Sequence, residues 1–140
     1  MKNMENQNNG IQPEGYIKAP QEYFTGTAWL KPLVKPDEIT NCTITDVLFE
    51  PSARNYWHTH PSNQILIVTE GVGYYQEEGS PIQEIRVGDV INILPGIKHW
   101  HGASPNSRFK HTAININSEK GTVNWIEPVL DKDYLGISLS

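Results

Sequence analysis

Four of the chain's five histidines come as two pairs, His58-x-His60 and His99-x-His101, and the fifth is His111. A glutamine, Gln64, follows the first pair by four positions. On a β-strand, residues i and i+2 point to the same face, so each pair presents two imidazoles side by side. One histidine alone is ordinarily a hydrogen-bonded core or surface residue. Two pairs with a carboxamide oxygen close by form a donor set for a borderline divalent ion such as Mn, Fe, Co, Ni, Cu or Zn. The plain alternative is a pair of solvated strand faces.

Such donors must converge on one point, which calls for rigid elements. Short runs rich in Val, Ile, Thr and aromatic residues, punctuated by Gly and Pro, predict strands over 25–33, 39–50, 54–60, 64–69, 73–77, 83–87, 90–94, 98–101 and 109–117. Glu78-Gly79 and Gly88-Asp89 mark tight reversals. The strand spacing, without helical periodicity, argues for an all-β sandwich or barrel, with a short helical turn expected only within 127–134. Trp57, Thr59 and Trp100 fall opposite the histidines, where the two tryptophans can pack. Pro61-Ser62-Asn63 is a natural turn, expected to fold Gln64–Thr69 back beside the first pair with Gln64 at the inner mouth. That strand is apolar on both faces, as expected for one covered on each side.

At 140 residues the chain suits one domain, read as a loose Asn/Gln-rich tail over 1–15 followed by a barrel over 16–140. A net charge of −5 gives no basic footprint for nucleic acid, and no apolar run is long enough to span a bilayer. The lone Cys42 excludes an internal disulfide and suits a small core side chain on a strand. The opening MKNMENQNNG lacks the apolar stretch of a secretory signal, so a cytoplasmic protein is expected.

The histidine segments resemble the two motifs of the cupin superfamily, small double-stranded β-helix (jelly-roll) barrels. The first motif, G-x5-H-x-H-x3,4-E-x6-G, is matched by Ser52, His58, His60, Gln64 and Gly71, with Ser for the first Gly and Gln for Glu. The second, G-x5-P-x-G-x2-H-x3-N, is matched by Gly88, Gly96 and His99, with the proline one place late at Pro95 and Ala103 in place of Asn. The resemblance implies His58, His60, Gln64 and His99 as metal ligands. The segments FTGT (24–27), FEPSAR (49–54), WHTHP (57–61), ILIVTEGVG (65–73), PGIKHWHGASP (95–105) and HTAI (111–114) narrow it further. They are similar to a group of small manganese cupins that includes bacterial hydroxynitrile lyases, in which Gln is the oxygen ligand. The implied cofactor is Mn(II), with Fe(II), Zn(II) or Ni(II) as alternatives.

A neutral Gln beside three neutral histidines leaves a divalent ion its full charge of about +2, where Glu would leave about +1, making a stronger Lewis acid. His111 is expected on an adjoining strand with Ala113 and Asn115 on the same inward face, as a candidate acid/base. For His101 the expectation is a supporting role that orients a ligand. Thr45, Val47, Leu66, Val68 and Asn115 are expected to line a small, mostly apolar substrate cavity. The leading function is a hydroxynitrile-lyase-type reaction on a small cyanohydrin. A cupin dioxygenase and a non-catalytic small-molecule-binding cupin are the alternatives. The resemblance also implies a homodimer or larger assembly, with the apolar segment Tyr23–Leu33 across a partner's sheet.

Overall fold

The computed structural model describes residues 11–136. The expected N-terminal tail therefore lies largely outside the described residues, and among these the first strand is β1 (Ile17–Lys18). The strands that follow are β2 (Phe24–Thr25), β3 (Ala28–Val34), β4 (Cys42–Phe49), β5 (Arg54–Asn55), β6 (His58–Thr59) and β7 (Gln64–Glu77). After them come β8 (Gln83–Arg86), β9 (Val90–Ile93), β10 (His99–Ala103), β11 (Phe109–Ile116) and β12 (Asn124–Trp125). A 3₁₀ turn covers Ser118–Lys120, and the short helix α1 (Asp131–Tyr134) falls within the expected helical segment. No described helix is long and apolar enough to cross a membrane.

All strand pairs are antiparallel, and the sheet curls into two facing halves joined by β7. One half runs β1–β3–β4–β11–β7–β9, and the other runs β8–β7–β10 and on to β5–β2, with β6 and β12 beside β10. The sequence predicts two strands where β7 is one. Its first part, Gln64–Gly71, pairs with β11, and its second part, Gly73–Glu77, pairs with β10. Gly71 makes the bend, at φ 75°, and a Cβ there would stand 1.8 Å from the Arg108 carbonyl oxygen. Ser52, which replaces the first motif glycine, also sits at φ 71°, so a non-glycine residue carries a left-handed backbone there.

The Pro61-Ser62-Asn63 turn does not lay β7 beside β6. It carries the chain across to the other half, where β7 runs between β11 and β9, while β6 pairs with β10 and β12. β7 already has hydrogen-bonded neighbours on both edges, so it has no free edge for β6. The long expected strand over 54–60 is likewise two short strands interrupted at Tyr56-Trp57.

Phe49, Leu66, Val68, Ile93 and Phe109 form the centre of the core between the halves. Behind β10, Trp100 packs with Tyr74, Val129 and Tyr134, with Trp57 against them, so both tryptophans turn away from the histidines as alternation requires. The C-terminal segment closes this second cluster. Arg54 donates to the Val129 carbonyl at 2.8 Å and pairs with Asp131 at 2.6 Å. The segment Tyr23–Leu33 is built into its own barrel. Phe24, Ala28 and Trp29 are buried, and Trp29 Nε1 donates to the Glu50 carboxylate at 3.1 Å. Cys42 is half-buried at the start of β4 and outside the core, because the buried residues of that strand are Val47, Leu48 and Phe49.

Candidate metal centre and its cavity

The first pair meets one member of the second. β6 and β10 run antiparallel with His58 opposite His99, which brings their ring centroids to 4.2 Å. His60 lies just beyond the end of β6, with its ring 4.9 Å from His58 and 5.4 Å from His99. One ligand atom from each of the three rings falls within 4.8 Å of the others, so the triad could hold a metal ion.

Backbone carbonyls fix which nitrogen each ring offers. His58 Nδ1 lies 2.7 Å from the Tyr56 carbonyl, His99 Nδ1 lies 2.8 Å from that of Ile97, and His60 Nδ1 bonds that of Thr122. A carbonyl only accepts, so each Nδ1 donates and each Nε2 keeps its lone pair. Nε2 of His60 and His99 and Oε1 of Gln64 are all buried without a hydrogen-bond partner. Each such orphan costs about 1–3 kcal/mol. Acceptors gathered without donors are what a cation satisfies, so the residues present fit a divalent metal.

Burial keeps these rings neutral. It pulls His58 well below its ordinary pKa, with His99 and His60 adding repulsion. It lowers His99 to about 4 and also lowers His60, where the Thr122 carbonyl and the Gln64 side chain pull the other way. Neutral imidazoles are the form that ligates.

His101 and His111 form a different arrangement. His101 lies outside the triad, and its Nδ1 is 2.9 Å from His111 Nε2, so one proton is shared between the two rings. Asn55 holds His101 on the other side. Its Oδ1 accepts from the His101 backbone N–H at 3.0 Å, which turns its Nδ2 towards the ring nitrogens at 3.3 and 3.4 Å. His111 is fully buried between Phe49 and Phe109, and burial lowers its pKa to about 3.

On the inner face of the first half, three cross-strand rows follow one another: Thr43–Asn115–Gln64, Thr45–Ala113–Leu66 and Val47–His111–Val68. A cavity of about 380 Å³ opens over them, and His58, His60, Gln64, His101 and His111 border it together. Thr45, Val47 and Asn115 line it as expected. Leu66 and Val68 do not. They point inward but lie in the core, 0% and 1% exposed, while Thr45, Ala113 and Val47 on the neighbouring strands border the opening. Asn55, Thr122, Tyr23 and Trp125 take part although the sequence analysis did not select them, and no spacing signal marks them.

A family model, the cupin domain, matches residues 45–123. The chain is a cupin. Among curated proteins, this cupin is 44% identical over 125 residues to an (R)-mandelonitrile lyase of Granulicella tundricola, covering 89% of this chain and 94% of that one. Among solved structures, it superposes on a cupin-like protein from Thermotoga maritima with a TM-score of 0.85 and 41% identity, again covering 89% and 94%. An acetylacetone dioxygenase from Acinetobacter johnsonii shares the fold alone, at TM-score 0.66 and 14% identity over 88% of this chain and 77% of that one.

Proposed function

We propose that this cupin is a metal-dependent lyase that cleaves a small cyanohydrin to its carbonyl compound and hydrogen cyanide. The observation that carries the reading is one cavity bordered both by His58, His60 and Gln64, whose ligand atoms converge with that of the buried His99, and by a separate proton-sharing histidine pair. The lyase relative, similar along nearly the whole chain, supports the substrate class.

In this reading His58, His60, Gln64 and His99 hold a divalent ion, Mn(II) first among the candidates ahead of Fe(II), Zn(II) and Ni(II). Bound there, the ion would supply Lewis acidity to a substrate oxygen. His111 takes the hydroxyl proton of the cyanohydrin. The oxygen's electron pair closes the carbonyl, and the bond to the nitrile carbon breaks with its pair going to cyanide. The same proton then passes to cyanide, so the products are an aldehyde or ketone and HCN. His111 Nδ1 has no partner, and there the pair has room for a second proton while His101 steadies Nε2. Burial keeps the ring neutral at rest but weakens it as a base, so proton uptake there relies on the acidity that a bound ion would lend the substrate hydroxyl. Thr45, Val47 and Asn115 shape the substrate side of the cavity.

The test is cyanide release from mandelonitrile by the manganese-loaded protein. We expect turnover that disappears in the metal-free protein; release no faster than the metal-free control would overturn the reading. A cytoplasmic homodimer completes the proposal. Supporting the dimer, Ile44, Ile114 and Ile65 form a half-buried cross-strand row on the outer face of the first half. Sedimentation as a monomer would count against it.

A further inference from the structure

The part of the cavity wall beside His58 comes from two segments far apart in the chain. Tyr23 precedes β2, and Trp125 ends β12. Their rings stack with centroids 4.9 Å apart and planes within 8°. Phe24 leans on the same indole at 5.8 Å and 58°. β12 pairs with β6 so that Trp125 stands opposite His58, and their rings lie 4.8 Å apart. The indole is therefore a direct neighbour of the ligand triad.

This cluster differs from the core aromatics. Phe49 and Phe109 are 0% exposed, whereas Tyr23 and Trp125 are only half-buried and both border the cavity. The indole is also held in place. Ile126 N–H donates to the Trp57 carbonyl at 2.9 Å and Trp57 N–H to the Glu127 carbonyl at 2.8 Å, while Tyr56 N–H holds the Tyr23 carbonyl at 2.9 Å. A ring already ordered by stacking gives up little further freedom when a guest arrives. Across the opening stand Ala113, Thr45 and Val47, side chains small enough to leave the space to a ring.

We propose that Trp125, braced by Tyr23, is the specificity-determining residue that selects an aryl group on the substrate over an aliphatic group of equal size. The inference rests on the reading that this cavity takes a small oxygen-bearing substrate at the histidine centre. Aromatic rings gain from edge and offset contacts beyond what area burial gives, and a saturated ring lacks the quadrupole for them.

Mandelate and hexahydromandelate, both of R configuration, share a hydroxy-acid head and differ only in a phenyl against a cyclohexyl ring, and neither can release cyanide. Titrated calorimetrically into the manganese-loaded protein, mandelate should bind roughly three- to tenfold more tightly. It should also alter tryptophan emission, since of the four tryptophans only Trp125 borders the cavity. Trp125→Leu should equalise the two affinities, and Trp125→Phe should restore a preference. Should Trp125→Leu lose the native circular dichroism spectrum, Tyr23→Leu, which releases the brace, should narrow the preference instead. Equal binding by the wild type, no binding of either acid, or a preference that survives both leucine variants would overturn the proposal. A wild type that prefers mandelate yet releases no cyanide from mandelonitrile would refute the lyase reading and leave this one standing. Turnover without the preference would do the reverse.

Discussion

His58, His60 and His99 each spend one ring nitrogen on a main-chain carbonyl, whereas His101 and His111 spend theirs on each other. A carbonyl cannot give up a proton, so a ring bonded to it is held in one tautomer with one lone pair aimed away. Two imidazoles in contact can exchange a proton, and either can be the donor. Both groups are buried, burial holds both neutral, and both reach the same cavity, the first through His58 and His60, with His99 and His101 only one residue apart on β10. Their hydrogen-bond partners, more than their exposure or position, separate a group suited to holding an ion from one suited to moving a proton.

Breaking the first group should have the largest effect. His99→Ala removes a fully buried donor, and since loss of a mere supporting contact costs about 10–100-fold in metal affinity, the variant should retain almost no metal and no lyase activity. Metal analysis after gel filtration checks this, and wild-type occupancy would erase the distinction between the groups. His111→Ala breaks the second group. It should keep its metal and lose about 10²–10⁴ in kcat for mandelonitrile cleavage, the usual contribution of a positioned acid or base. Asn55→Ala sharpens the comparison by releasing His101 while leaving both histidines of the pair and all three of the triad in place. With the hydrogen bond to the His101 backbone and the contact to its ring both lost, kcat should fall about tenfold at unchanged metal content and nearly unchanged KM.

The last effect is on stability. The pKa of His99 is lowered to about 4 and that of His111 to about 3, against an ordinary value of 6.5. The unfolded chain therefore binds protons that the folded, metal-free chain refuses. The stability at stake is complete above pH 6.5 and is lost as pH falls towards 4 and 3. The slope is about 1.4 kcal/mol per pH unit for each such histidine. Urea denaturation of the chelator-treated protein at pH 7, 6 and 5 should show this decline, and a midpoint independent of pH would contradict it.

How far the sequence reveals this depends on the reach of each contact. Alternation and the family motifs identify His58, His60, Gln64 and His99, and the inward face of β11 identifies His111 and Asn115. Alternation gives the direction of a side chain but not the depth, which is why Leu66 and Val68 read as cavity wall and turn out to be core. Neither does it show that the strand after Pro61-Ser62-Asn63 changes halves, because that depends on which edges its neighbours have already filled. The sequence shows still less of Asn55, which meets His101 across 46 residues, or of Tyr23 and Trp125, which meet from opposite ends of the chain. Such partners become visible only when the barrel closes.

The carbonyl anchors differ in their reach along the chain. The anchors of His58 and His99 lie two residues upstream, so these rings can be oriented as soon as their own strands exist. The anchor of His60 lies 62 residues downstream, in the segment after the 3₁₀ turn. The ring of His60 is thus tied to the segment after the 3₁₀ turn, and a triad with all three rings anchored reports that this segment is docked on the barrel.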